Sequence, residues 1–152
     1  MSKRLITSGI LVAYSALVLS ILVFKIASFR IGHLRLHFSG YATGEANLVP
    51  LTSIMPYLLG ERGQMIALFN VGGNIVLFIP IGFLLPLVFR KVTWRTVLTL
   101  AVAAPLMIEL TQALFRVGIF DIDDVILNGF GVIMGYALFV LFKKWVHAPK
   151  KS

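Results

Sequence analysis

The sequence predicts an all-α membrane protein: one domain of about four transmembrane helices, with a structured extracytoplasmic loop after the first and both termini cytoplasmic. Three observations carry this. In 152 residues, 59% are hydrophobic, 13% are charged and the mean hydropathy is +0.94, too apolar for a soluble domain of this size. Four runs approach the roughly 20 apolar residues a bilayer crossing needs. The net charge of +8 comes from basic residues gathered beside those runs, as membrane-edge orientation signals are; no nucleic-acid partner is expected. With no cysteine in the chain, disulfides, thiol chemistry and cysteine-ligated metals are excluded.

The first run, about Leu5 to Phe24, follows Lys3 and Arg4 and competes with a signal peptide. It is long enough to span and no small-x-small cleavage site precedes Lys25, so an uncleaved anchor is expected. The loop from Lys25 to Met65 is too long for a simple connector. Within it Ile31 to Phe38 alternates, with His33, Arg35 and His37 on one side, a strand-like or interfacial pattern. On a helix, His33 and His37 could ligate a metal; in a strand they line a wet face with Arg35, and no metal or cofactor is expected. Asn47 to Thr52 reads as a rigid turn, leading into a membrane-hugging stretch, Ile54 to Leu59, interrupted by Pro56 and suited to a re-entrant or surface helix.

The second run, about Ala67 to Phe89, contains Pro80 and Pro86, and the third, about Val97 to Phe115, contains Pro105. Proline removes a backbone donor and clashes one turn back, so both should bend, with the freed groups satisfied by protein or water. The fourth, about Val125 to Phe142, is short but free of charge. For orientation, residues 1–4, 90–96 and 143–152 carry nine basic residues (Lys3, Arg4, Arg90, Lys91, Arg95, Lys143, Lys144, Lys150, Lys151). The longer opposite connections carry five (Lys25, Arg30, Arg35, Arg62, Arg116), which places the termini in the cytoplasm. Glu45, Glu61, Asp121, Asp123 and Asp124 all fall on the external side.

Ionisable residues within apolar spans are costly enough to mark candidate sites. Glu109 lies seven residues before Arg116, roughly 10 Å below the outer end of the third helix. Glu109, Gln112 and Arg116 share one helical face by their spacing; the alternative is a buried Glu109 that only fixes the bundle. In the fourth helix Asp121, Asp124, Asn128, Gly131 and Gly135 recur at spacings of three and four. Gly131 and Gly135 make a small-xxx-small pair suited to close helix packing. Asp121 reads equally as a helix cap or a site residue, and Asp124 as a site residue. Asn70 and Asn74, four apart, join from the second helix as ligands or interhelical glue. All eight polar residues then converge in the outer half of the membrane.

The segments Asn47-Leu-Val-Pro-Leu, Asn70-Val-Gly-Gly-Asn-Ile-Val-Leu-Phe-Ile-Pro-Ile-Gly-Phe, Ile108-Glu-Leu-Thr-Gln and Phe120-Asp-Ile-Asp-Asp-Val-Ile-Leu-Asn-Gly-Phe-Gly resemble the VanZ-like family, in order and spacing, across residues 47–142. The resemblance implies a small multi-pass protein of the bacterial cytoplasmic membrane and a phenotype, reduced susceptibility to teicoplanin-type lipid-bearing glycopeptides. Asn74, Glu109, Gln112, Asp121, Asp124 and Asn128 keep the family pattern. Arg116 stands earlier than the basic residue that members often carry directly before Phe-Asp. The leading expectation is a non-enzymatic protein that takes an amphiphile from the outer leaflet, a lipid-linked cell-wall precursor or a lipoglycopeptide, with its headgroup among these residues and with Arg116 and Arg62 nearby. The alternative is an intramembrane hydrolase or transferase acting through Glu109, Asp121 and Asp124, for which no nucleophile or diagnostic motif is evident. A homodimer through the glycine face of the fourth helix is a further expectation.

Overall fold

The structure, a computed structural model, describes residues 3–24, 45–61, 65 and 68–147. Four helices are long and apolar enough to cross a membrane, and no strand occurs among the described residues. They are α1 (Lys3–Phe24), α3 (Gly73–Val88, which spans together with the turn Leu68–Gly72 before it), α4 (Trp94–Leu114) and α5 (Ile122–Val146). A short α2 (Met55–Leu58) lies in the connection after α1, and a π-helical turn, Leu68–Gly72, leads into α3. The alternating segment 31–38 lies outside the described residues.

The charged residues at its ends explain why α5 is longer than its apolar run. Asp121 is the N-cap, its side chain accepting from the Asp123 N–H, and Asp123 and Asp124 occupy the first turn. Lys143 and Lys144 occupy the last turn. Carboxylates at the positive end and ammonium groups at the negative end suit the helix dipole, so the helix runs past its hydropathic limits. Thr93 caps α4 in the same way, accepting from the Thr96 N–H at 3.3 Å.

The core is built on α3 and α5, which run parallel and in close contact. Gly131 and Gly135 of α5 sit against the carbonyl oxygens of Ile75 and Ile79, and Gly82 of α3 sits against the Val132 carbonyl; a Cβ at any of the three would overlap the facing backbone. This is small-residue packing that brings two backbones together where lipid supplies no hydrophobic drive. The glycine face of α5 is thus filled by α3 of the same chain. Antiparallel α4 covers another side of α5. Pro105 has no N–H to offer the Ala101 carbonyl four residues back, and that carbonyl faces Gly129 of α5, whose missing Cβ leaves room for it. The Trp94 and Tyr136 rings meet edge-on at 4.6 Å and join the start of α4 to α5.

The first span is a working member of the bundle. Val18 is buried, the Tyr14 hydroxyl donates to the Leu77 carbonyl at 3.0 Å, and Arg4 Nε donates to the Val88 carbonyl at the end of α3 at 2.8 Å. Around these contacts, large apolar side chains such as Leu17, Leu98, Met107, Phe130 and Leu141 face outward, while Glu109, Gln112, Asp123 and Asn128 are buried. A polar interior inside an apolar coat is what a hydrocarbon surround selects. Arg4, Val88, Trp94 and His147 lie at one end of the bundle, the basic end. Leu22, Asn70, Leu114 and Asp121 lie at the other, the acidic end.

Candidate functional site

At the acidic end three neighbouring carboxylates have three separate tasks: two hold the chain between α1 and α3, and the third faces α3 itself. Residue 47 lies alongside residue 121 in a single parallel bridge: Asn47 N donates to the Phe120 carbonyl at 2.8 Å and Ile122 N to the Asn47 carbonyl at 3.0 Å. The Asp121 side chain accepts from Asn47 Nδ2 at 2.9 Å and from Ser53 Oγ at 2.5 Å, besides capping α5. Asp123, fully buried, turns to the loop backbone and accepts from the N–H groups of Leu51 at 2.5 Å, Ser53 at 2.7 Å and Ile54 at 3.3 Å. Leu51 adopts a left-handed φ of 72°, which curls these donors around the carboxylate into an anion-holding concavity. Asp124 faces α3 and accepts from Asn74 Nδ2 at 2.6 Å.

Two residues of α4 close the arrangement from below. Glu109 is 2% exposed, and its Oε2 accepts from the Asp121 N–H at 3.1 Å, so the carboxylate supports the turn that starts α5. Gln112 donates to the Leu22 carbonyl at 2.6 Å. Leu22 lies in the last turn of α1, where carbonyls lack intrahelical partners, and Gln112 satisfies one of them while tying α1 to α4. A Gln112→Leu variant, similar in volume, is expected to lose about 1 kcal/mol, read as a fall of roughly 2 to 4 °C in the melting temperature in detergent.

These elements enclose a pocket of about 870 Å³ between the end of α1, the 45–57 segment, the π-helical start of α3 and the neighbouring ends of α4 and α5. Glu45, Glu109, Asp121, Asp123 and Asp124 line it together with Asn47, Asn70, Asn74 and Gln112, and Ile54, Tyr57, Phe69, Leu77 and Leu127 supply apolar wall. No lysine or arginine among the described residues lines it. Six of the eight expected site residues, Glu109, Gln112, Asp121, Asp124, Asn70 and Asn74, therefore share one cavity.

Two do not. Arg116 is exposed and outside the pocket, because α4 ends at Leu114 and Arg116 takes a left-handed φ of 55° that reverses the chain. Val117 and Gly118 then donate back to the Gln112 carbonyl at 3.0 and 3.3 Å, so the polar stripe stops a turn earlier than helical spacing implies. Asn128 is buried in α5 and does not line the pocket, although its neighbour Leu127 does, and its Oδ1 has no partner among the described residues. Arg62, expected nearby, lies outside the described residues, as do His33 and His37. Sequence reasoning missed Asp123, Asn47 and Ser53. The available signal was the surplus of carboxylates in Asp121-Ile-Asp-Asp beside a turn-forming Asn47-Leu-Val-Pro segment that needed an anchor.

Chemically, the pocket presents hydrogen-bond acceptors and negative charge next to apolar walls. Both oxygens of Asp121 and both of Asp123 are already engaged by loop donors, which makes them scaffolding first. No three acidic or histidine side chains among the described residues converge closely enough to hold one metal ion.

A family model described as VanZ/LLP1 matches residues 11–143. Protein VanZ of Enterococcus faecium is 27% identical over 147 residues, covering 97% of this chain and 81% of that protein. No solved structure matches. The family match covers most of the chain and reaches into all four long helices: the chain belongs to the VanZ/LLP1 family.

Proposed function

We propose that this VanZ/LLP1 membrane protein sits in the bacterial cytoplasmic membrane with both termini inside, and that its acidic pocket opens at the outer face and binds the headgroup of an amphiphile drawn from the outer leaflet. The role that follows is low-level resistance to teicoplanin-type lipoglycopeptides or handling of cell-envelope lipids, without chemical turnover. The observation that supports it is the pocket itself: a polar, acidic cavity of about 870 Å³ at one end of a bundle with an apolar outer surface, walled partly by apolar side chains. An amine-bearing headgroup suits such a lining, and a hydrocarbon tail suits the coat beneath it. The nine-to-five distribution of basic residues supports the orientation.

The test compares a sensitive Gram-positive host carrying the wild type with one carrying Asp124→Asn at equal membrane levels. Susceptibility is measured to teicoplanin and to vancomycin, which lacks the lipid tail. Asparagine keeps an oxygen for Asn74 Nδ2 but removes the charge, so the fold should persist. Protection against teicoplanin alone, lost in the variant, is the expected result. No protection by the wild type, or equal protection against both drugs, would overturn the proposal.

A further inference from the structure

The basic end carries a second cavity, of about 480 Å³, between the turn that joins α3 to α4 and the last turns of α5. Arg90 enters it from the turn, and Lys143, Lys144 and His147 from α5; Phe89 and Phe139 form part of its apolar wall. Some of the charge nearby has an evident structural use. Arg4 donates to the last carbonyl of α3, and His147 Nδ1 donates to the Lys143 carbonyl at 2.8 Å. The Arg90 guanidinium and the Lys143 and Lys144 ammonium groups have no hydrogen bond or ion pair among the described residues.

Helix dipole and orientation explain why Lys143 and Lys144 end a helix. They do not explain why cations from two separate segments line one cavity with an aromatic wall. Nor is there a counter-charge in the chain for them: its six acidic residues are Glu45, Glu61, Glu109, Asp121, Asp123 and Asp124, none of which lies at this end. The cavity sits where the α3 and α5 spans finish.

We propose that Arg90, Lys143 and Lys144 bind the phosphate of an anionic phospholipid from the surrounding leaflet, with the first part of its acyl chains against Phe89 and Phe139. Arginine offers a planar fork for two phosphate oxygens, and the lysines add charge on flexible stems. Basic pockets between membrane helices suit phosphate headgroups for this reason. The site is independent of the acidic pocket and of what that pocket binds.

The full chain in zwitterionic detergent is titrated separately with phosphatidylglycerol, phosphatidylcholine and glycerol 3-phosphate, and retained ligand is read by native mass spectrometry. The wild type should retain one phosphatidylglycerol and release it as salt is added, without melting. Replacing Arg90, Lys143 and Lys144 together by glutamine should weaken retention about a hundredfold, near fivefold per cation, while the melting temperature falls by only about 2 to 4 °C from the two charges lost at the end of α5. Equal retention by a folded variant, equal retention of phosphatidylcholine, or insensitivity of the wild type to salt would overturn the site. Glycerol 3-phosphate held as tightly as the lipid would make the ligand a soluble phosphate and would also overturn it. The salt titration decides the matter if the triple variant does not fold.

Discussion

Asp123→Ala is expected to cost about 3 kcal/mol of stability, the largest effect of any single side chain at the acidic end. The carboxylate accepts from three backbone N–H groups, and alanine strips the charge from all three at once. Each buried donor left without a partner costs roughly 1 to 3 kcal/mol. Leu51 is exposed and its N–H can recover water, which keeps the sum near the lower bound. For a chain of this size the melting temperature should fall by about 6 to 12 °C. Asp123→Asn should fall between alanine and wild type, because its amide keeps one acceptor oxygen and points an N–H₂ at the remaining donors. Thermal unfolding in detergent provides the check; an alanine variant melting with the wild type would mean the loop is held by something else. Asp124→Asn should leave the melt nearly unchanged, since it preserves its bond to Asn74, and the contrast separates the loop clasp at Asp123 from the charge at Asp124.

Gly135→Ala is expected to be among the most damaging single-methyl changes in the bundle, level with Gly82→Ala. An alanine Cβ would overlap the Ile79 carbonyl, with the Phe83 nitrogen at 2.9 Å, and these are backbone atoms that no rotamer change can move. α3 and α5 would have to separate, loosening the Phe83–Phe139 edge contact at 5.8 Å on the same interface. Overpacking of this kind costs typically 1 to 3 kcal/mol, and a rigid backbone contact belongs at the upper end. Gly9→Ala is the matched control: it lies in α1 with nothing within 4 Å of the new Cβ, and relief of glycine's backbone entropy should make it neutral or slightly stabilising. Melting curves of the two variants should therefore move in different directions. A Gly135→Ala protein as stable as wild type would contradict the close approach of α3 and α5.

Much of this arrangement is legible in the sequence because a membrane punishes ambiguity. Four apolar runs gave four long helices, and the spacing of Gly131 and Gly135 marked the packing face, although the partner across it is α3 of the same chain. The cost of a carboxylate inside a span marks Glu109, the surplus of carboxylates beyond a cap marks Asp124, and spacing under the same topology adds Asn74; the three line one cavity. The errors have local causes. Arg116 was placed on the stripe by carrying helical periodicity through a left-handed residue that no sequence rule flags at an arginine. Asn128 keeps the spacing of the stripe, yet its neighbour Leu127, and not Asn128, lines the cavity. The role of Asp123 depends on backbone donors 69 to 72 residues away in the chain, at Leu51, Ser53 and Ile54, and nothing in the helix spacing points to them.

The pocket's function is tested most directly on purified protein in nanodiscs, by titrating wild type and Asp124→Asn with teicoplanin and with vancomycin and measuring binding at equilibrium. Saturable binding of teicoplanin by the wild type is expected, weakened at least about tenfold, near 1.4 kcal/mol, in a variant that melts at the wild-type temperature, with little binding of vancomycin by either. Absence of teicoplanin binding by the folded wild type, or equal binding by the variant, would contradict an acidic headgroup pocket.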